Sequence, residues 1–558
     1  MRLAAVLLAL LAAPVFAQPL ALPDLPPYIL TNARIYTVDD ANPMADAIAV
    51  DPTGVIAAVG SREDLTAMYT WPEVDAKGHT VIPGLIDAHA HLMNLGTSLL
   101  QADLVGTTSK ADVIARLTAF EADLPEGAWL TGRGWDQNDW GEGEPFPTRA
   151  DLDAAFPTRP VWLVRIDGHA GWANTAALRA SGVDPNAEPP ADREGGATIR
   201  DARGLPTGVY VDGAMDLVGA SVPEADAAFY EEALTRALEE TARFGLTGVH
   251  EAGIPLALID MYRAFAAEGR FGIRNYAMVS QEVFPAFCEQ YPDMINDERL
   301  VVRSVKVYAD GALGSRGAAL LAEYADEPGN TGLLFMSPEV LESVVADAMA
   351  CGLQVNTHAI GDRANRAVLD AYESAMAETG AASGAGRHRI EHAQVVSLDD
   401  IQRTADLGVI ASVQPTHATS DMPWAETRVG ADRVRGAYAW RRLIDAGARL
   451  ALGSDFPVER VSPLLGFHAA VTRQDAEDAP AGGWYGNQVL SREEALRGFT
   501  LDAAYAGFME DMVGSLEAGK RADFVILSQD LMRVPPEAIL DTEVVMTVLD
   551  GAPIYVAE

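Results

Sequence analysis

The feature that most constrains this chain is an alternation through its middle. Short apolar segments that read as strands recur between Ala-rich stretches that read as helices. Such alternation implies βα repeats and a parallel sheet. The candidate strands end near His91, His169, Glu251, Met278, Asp310, His358, His392, Pro415 and Asp455. That is one strand more than a closed eight-strand barrel holds. The stretch from about 107 to 241 is long, irregular and rich in Gly, Pro and Trp. It is assigned as an insertion after strand one, and the strand from Val161 to Ile166 goes with it. The remaining eight strands close a TIM-like (β/α)8 barrel, an α/β fold. A doubly wound sheet fits the periodicity almost as well.

The two ends of the chain read differently. Ile29 to Val38, Ala47 to Val50 and Val55 to Ile56 and onward to Val59 show short strand patterns. Phe524 to Leu527, Val544 to Leu549 and Ile554 to Val556 resemble them at the far end. Residues 18–80 and 515–558 are therefore expected to complete one small β-sandwich, leaving 81–514 for the barrel.

With 558 residues, 49% of them hydrophobic, the chain is long enough for a large core plus an accessory domain. A net charge of −39 argues against a nucleic-acid partner, which needs a basic surface. The first residues read as a leader. Met1 and Arg2 precede an apolar run, Leu3 to Ala13, too short to span a bilayer, and Val15-Phe16-Ala17 offers a cleavage site. Residues 1–17 are expected to be a signal peptide, giving a periplasmic or secreted protein without stable membrane insertion. Cys288 and Cys351 are the two cysteines. They are expected to be buried free thiols, with a bridge as the alternative.

The strongest local signal is the apolar strand that ends Asp87-Ala-His89-Ala-His91. Residues two apart on a strand project to the same face, so His89 and His91 can approach one cation together. Three later strands end in His358, His392 and Asp455. A barrel places its active-site residues at such C-terminal strand ends.

Lys306 stands inside a further apolar strand, Val305 to Asp310. Lysine occurs only at positions 77, 110, 306 and 520, among 41 lysines and arginines together. A lysine buried in a strand, in a chain that otherwise uses arginine, suggests chemistry arginine cannot perform. A buried amine loses its proton readily and can take up carbon dioxide. The carbamate so formed is an oxygen ligand able to bridge two metals. Pairing of Lys306 with Asp310 or another carboxylate is the plainer alternative.

Val81 to His91, Lys306, His358, His392 and Asp455 together resemble the amidohydrolase superfamily. The wider pattern is similar to amidohydrolase family 3, the branch of the YtcJ-like hydrolases and N-substituted formamide deformylases. It is carried by Gly132 to Asp136, Asp167 to Asn174, Lys306 to Arg316, His358 to Asp362, Ile390 to Ala393, Gln414 to His417, Gly453 to Pro457 and Gly514 to Asp523. The resemblance implies two divalent ions, zinc foremost. His89, His91 and Asp455 would hold the more buried ion, and His358 and His392 the second. Lys306, if carboxylated, would bridge them; some relatives work with one ion. It further implies a small-molecule substrate and, from many relatives, a homodimer.

The constellation matches metal-assisted hydrolysis, and the resemblance implies that the bond is a C–N bond of the amide type, other than a peptide bond. Asp455 would take the proton of the attacking water and pass it to the leaving amine. His169 and His417 are candidates to line the substrate pocket, Arg316 to hold a substrate carboxylate, and Trp135, Trp172 and Trp424 to form an aromatic rim. A structural role fits each of these as well. Isomerisation or another metal-assisted reaction on the same scaffold, and a non-catalytic regulatory or binding protein, are the rival readings.

Overall fold

Eight strands run through the central sheet, β1 (Leu85–Ala90), β2 (Leu246–Ile254), β3 (Arg274–Ser280), β4 (Leu300–Tyr308), β5 (Gln354–Ala359), β6 (Arg389–His392), β7 (Ile410–Val413) and β8 (Leu450–Leu452), and a short ninth, Ile295–Asn296, pairs antiparallel with β4 to one side. The eight lie in that order, and every pairing from β1 to β8 is parallel. This computed structural model describes residues 20, 22–23, 25–122, 124–141, 146–166, 168, 170–189, 196–223 and 226–557. The expected signal peptide, 1–17, lies outside them.

The seam between β8 and β1 is joined beyond the strand ends. The Asp455 N–H donates to the His89 carbonyl at 2.7 Å, and the His91 N–H to the Phe456 carbonyl at 2.9 Å. Asp87 accepts the Ser454 N–H at 3.0 Å and its hydroxyl at 2.6 Å. Gly453 allows this approach, because a Cβ there would fall 2.5 Å from Asp87 Oδ1. The sheet thus closes as an eight-strand barrel.

Alternation along β4 sets the direction of Lys306. Val305 and Val307 are buried in the main apolar core, and Lys306 between them faces the cavity at the barrel mouth. The helix Ala227–Arg243 belongs to the barrel wall, although the sequence placed it in the insertion. Its buried stripe of Ala233, Leu234, Ala237 and Leu238 joins the main core. It crosses the helix Leu92–Leu99 so closely that a Cβ at Gly96 would meet the Ala233 carbonyl.

The insertion carries its own six-stranded mixed sheet, from Ala102–Asp103 to Pro206–Asp212. Trp135 and Trp172 are wholly buried in its core, against Leu130, Val161 and Leu163. Their indole N–H groups donate to the carbonyls of Leu163 and Thr148. Neither belongs to an aromatic rim; burying two large rings gives this sheet a core of its own.

Both chain ends build the β-sandwich. One sheet holds Ile56–Gly60, Ala47–Val50, Tyr28–Thr31 and Glu73–Asp75; the other joins Met44–Ala45, Arg34–Tyr36 and Thr80–Pro83, side by side, to Phe524–Leu527, Val544–Leu549 and Ala552–Val556, through the pairing of Thr80–Pro83 with Phe524–Leu527. The single strand pattern from Ile29 to Val38 is split between the two sheets. The chain turns at Asn32, which takes a left-handed φ of 52° and donates to Asp75. The second sheet serves two cores by period two: Val81, Phe524 and Ile526 face the sandwich, and Ile82, Val525 and Leu527 the barrel.

Cys288 and Cys351 are joined in a disulfide, not free as expected. Cys288 lies in the helix Phe284–Gln290, and Cys351 follows the helix Pro338–Ala350. These helices follow the adjacent strands β3 and β4, so 63 residues of chain return to the same place.

Candidate active site

The C-terminal ends of the strands gather the ionisable groups picked out in the sequence. His89 is the last residue but one of β1, and His91 precedes the helix Leu92–Leu99. Lys306, His358 and His392 lie at or near the ends of β4, β5 and β6, and Asp455 follows β8. Asp455 Oδ1 stands 3.0 Å from His91 Nε2 and 3.6 Å from His89 Nε2. Lys306 Nζ stands 3.0 Å from His89 Nε2. The His392 ring lies 4.8 Å from that of His89 and 4.5 Å from that of His358. All six groups therefore meet in one place.

A buried polar chain braces this cluster. Glu391 Oε2 takes His89 Nδ1 at 2.5 Å, and Arg389 lies 2.8 Å from the other Glu391 oxygen. Arg389 also reaches His250 Nδ1 at 2.9 Å and the Ser412 hydroxyl at 2.9 Å. Accepting the Nδ1 proton fixes the His89 tautomer and turns the Nε2 lone pair towards the site. Burial alone would raise the Glu391 carboxyl, but the Arg389 guanidinium and His89 hold it well below the usual carboxylate range. Gln414 Oε1 performs the same service for His392 Nδ1, at 2.8 Å.

His392 and Asp455 take left-handed backbone conformations, with φ of 74° and 66°. Non-glycine residues adopt this region at a cost, and active sites are a common place for it.

The donor set suits divalent cations. Burial, followed by the charge of Lys306, lowers His89 to about 4 and His358 to about 3; burial first drives His392 well below its ordinary value. All three are neutral imidazoles at neutral pH, with lone pairs to donate. His358 Nε2 and Asp455 Oδ1 are buried without a hydrogen bond. Ligand atoms of His89, His91 and Asp455 lie within 4.8 Å of one another, as do those of His392, His417 and Asp455. His417 thus joins a ligand-competent group for which the sequence had named His358.

Lys306 is not paired with Asp310. That carboxylate accepts the N–H groups of Ala319, Ile360 and Gly361 instead. Burial lowers Lys306 to about 8, against the pull of Glu391 and Asp455.

A cavity of about 700 Å³ opens over the cluster. His417 and Trp424 line it, as do Arg133, Asp136 and Arg165 from the insertion. Arg316 does not; it pairs with Asp326 at 2.9 Å and Glu327 at 3.4 Å, close in its own loop. Trp135 sits in the insertion core, and His169 lies outside the described residues. Sequence reasoning passed over Glu391, Arg389, Gln414 and Asp421. Glu391 and Gln414 had a signal, since both stand inside stretches that carry the family resemblance, Ile390 to Ala393 and Gln414 to His417.

The amidohydrolase family model matches residues 72–555. The putative amidohydrolase YtcJ of Bacillus subtilis is 35% identical over 533 residues, covering 93% of this chain and 98% of the relative. The N-substituted formamide deformylase of Arthrobacter pascens is 28% identical over 545 residues, covering 94% and 97%. The crystal structure of a metal-dependent hydrolase from Pyrococcus horikoshii superposes with a TM-score of 0.74 at 29% identity, covering 91% of this chain and 99% of that one. On the match across most of its length and the barrel that carries it, the chain belongs to the amidohydrolase family.

Proposed function

We propose that this protein hydrolyses a non-peptide C–N bond, of the amide or N-acyl type, in a small molecule. The observation that carries the reading is Asp455. Its Oδ1 is buried, makes no hydrogen bond, and faces His89 and His91 at the floor of an open cavity. Burial opposes its ionisation, but His91 beside it, with His89 and His392, holds it well below the usual carboxylate range, so it stands ionised. The deformylase name of one relative supports an amide-type substrate.

His89, His91 and Asp455 would hold one divalent ion, zinc foremost, and His358 and His392 a second, with His417 beside them. Bound ions supply Lewis acidity, acidifying water and polarising a carbonyl. Asp455 accepts the proton of the attacking water and returns it to the leaving nitrogen. Lys306, lowered to about 8, has a neutral fraction able to add carbon dioxide, forming an N–C bond and releasing a proton. The carbamate would reach both ions.

The leader and the disulfide together favour export, since disulfides persist in oxidising compartments. A homodimer and a periplasmic or secreted location are part of the same reading.

Metal content by inductively coupled plasma mass spectrometry, for wild type beside Lys306→Ala, tests the centre. Close to two ions per chain, falling in the variant, supports the bridged site and leads to an amide panel. One ion, unchanged by the substitution, leaves a mononuclear hydrolase. No ion, and none regained with zinc or manganese, overturns the reading.

A further inference from the structure

The cavity over the cluster has an acidic group that hydrolysis does not use. Asp421 ends the helix Pro415–Asp421, four residues after His417, so the two lie on the same helical face. Both line the cavity. Asp421 Oδ2 accepts the Tyr438 hydroxyl at 2.5 Å and Gln394 Nε2 at 2.8 Å, and Gln394 also donates to the Tyr438 hydroxyl at 2.7 Å. Three side chains thus form a closed triangle that fixes the carboxylate. Gln394 follows His392 by two residues, which ties the triangle to the ligand cluster.

Tyr438 is held with unusual care. It is buried, takes a left-handed φ of 49°, donates its N–H to the Gln394 carbonyl at 2.7 Å, and accepts Arg473 on its own carbonyl. A bulky residue keeps such a conformation only where its surroundings over-determine it.

The other charges around the cavity have partners. Arg165 pairs with Asp136 at 2.5 Å, Arg428 pairs with Asp326, and Glu459 accepts the Ser420 hydroxyl. Among the described residues, no Arg or Lys forms an ion pair with Asp421. The net charge of −39 would also draw cations towards the molecule.

We propose that Asp421, held by Tyr438 and Gln394, anchors a protonated amino group on the substrate and so determines specificity. The inference rests on the hydrolase reading for its place in turnover, and on the cavity alone for binding. One helical turn separates the anchor from His417, about 6 Å between side-chain origins. The cation would then sit a few methylene groups from the scissile bond.

The test compares N-(4-aminobutyl)acetamide with its neutral isostere, N-pentylacetamide, at pH 8, on zinc-reconstituted wild type, Asp421→Asn, Tyr438→Phe and Glu459→Gln. Wild type is expected to favour the amine-bearing amide by about ten-fold or more in kcat/KM, as a charged hydrogen bond allows. Asp421→Asn should erase the preference, through KM more than kcat. Tyr438→Phe should reduce it about three-fold, and it carries the test if the first variant does not fold. No preference in wild type, equal losses on both amides, or loss in Glu459→Gln alone would overturn the anchor.

Calorimetric titration with pentan-1-amine and pentan-1-ol separates this from failure of the hydrolase reading. With neither amide turned over, tighter binding of the amine, lost in Asp421→Asn, still upholds the anchor. Equal binding of amine and alcohol rejects it.

Discussion

Asp455 meets His89 twice: its N–H donates to the His89 carbonyl at 2.7 Å, and its Oδ1 stands 3.6 Å from His89 Nε2. The bond that closes the barrel therefore also sets the distance between two groups of the candidate centre. Replacing Asp455 with Asn keeps the backbone bond and removes the proton acceptor. Turnover is expected to fall by about 10²–10⁴-fold, the range for general acid–base groups, with much of the metal retained. Steady-state kinetics beside metal analysis checks this. Near-normal turnover would remove Asp455 from the proton path.

Glu391 is wedged between His89 and Arg389 with no exposure. Glu391→Gln leaves the Arg389 charge buried without its counter-ion, a loss of about 3–5 kcal/mol for such pairs. Zinc affinity should fall by about 10–100-fold, as for other groups that orient a ligating histidine. Competition with a chromogenic chelator reads the affinity, and an unchanged value would make Glu391 merely structural.

How much of this was legible depends on how local each signal was. His89, His91, Lys306, His358, His392 and Asp455 could be read because strand periodicity and strand ends declare themselves within a few residues. Glu391 sits beside His392, but its role depends on His89, 302 residues away. Trp135 looked like a pocket residue because nothing local tells a rim from a buried core. Arg316 found its carboxylates ten and eleven residues on, in a loop without periodicity. The disulfide needed the order of helices around the barrel, which no spacing gives.

The buried histidines should make acid destabilise the metal-free protein, against the buried carboxyl groups of Asp87, Asp310 and Asp421, which burial raises to about 7, 7 and 6 and which act in the opposite sense. His89 and His388 are lowered to about 4 and His358 to about 3, all with burial as the first cause. Between those values and about 6.5, the unfolded chain binds protons that the folded chain refuses, so stability rises with pH. Falling pH through that window should cost up to about 1.4 kcal/mol per unit for each histidine. Melting curves of the chelator-treated wild type and of His388→Gln from pH 7 to 5 test the sign, since the variant should lose less stability on acidification. An equal change of midpoint in the two proteins would contradict it.

Reducing the Cys288–Cys351 bridge frees a loop with a sequence separation of 63. The chain-entropy relation assigns such a loop about 4 kcal/mol. The double variant Cys288→Ser/Cys351→Ser should unfold at a lower temperature while keeping its activity at 25 °C, since both cysteines lie outside the cavity lining. A scan with and without reductant on wild type gives the same comparison. An unchanged midpoint would mean the bridge contributes little.

The sheet shared by sandwich and barrel also orders events during synthesis. Tyr28 donates its hydroxyl to the Gly551 carbonyl, 523 residues later. A ribosome adding about 5–20 residues per second needs roughly half a minute to two minutes to cover that stretch. Until Phe524–Leu527 is made, Val81 and Ile82, which end up in two different cores, have their early partner Arg34–Tyr36 on one side but lack the strand that pairs on the other. The nascent chain carries unpaired strand edges near its start until the last strands arrive, so a holding chaperone should associate with the early segment and leave when Phe524–Leu527 docks.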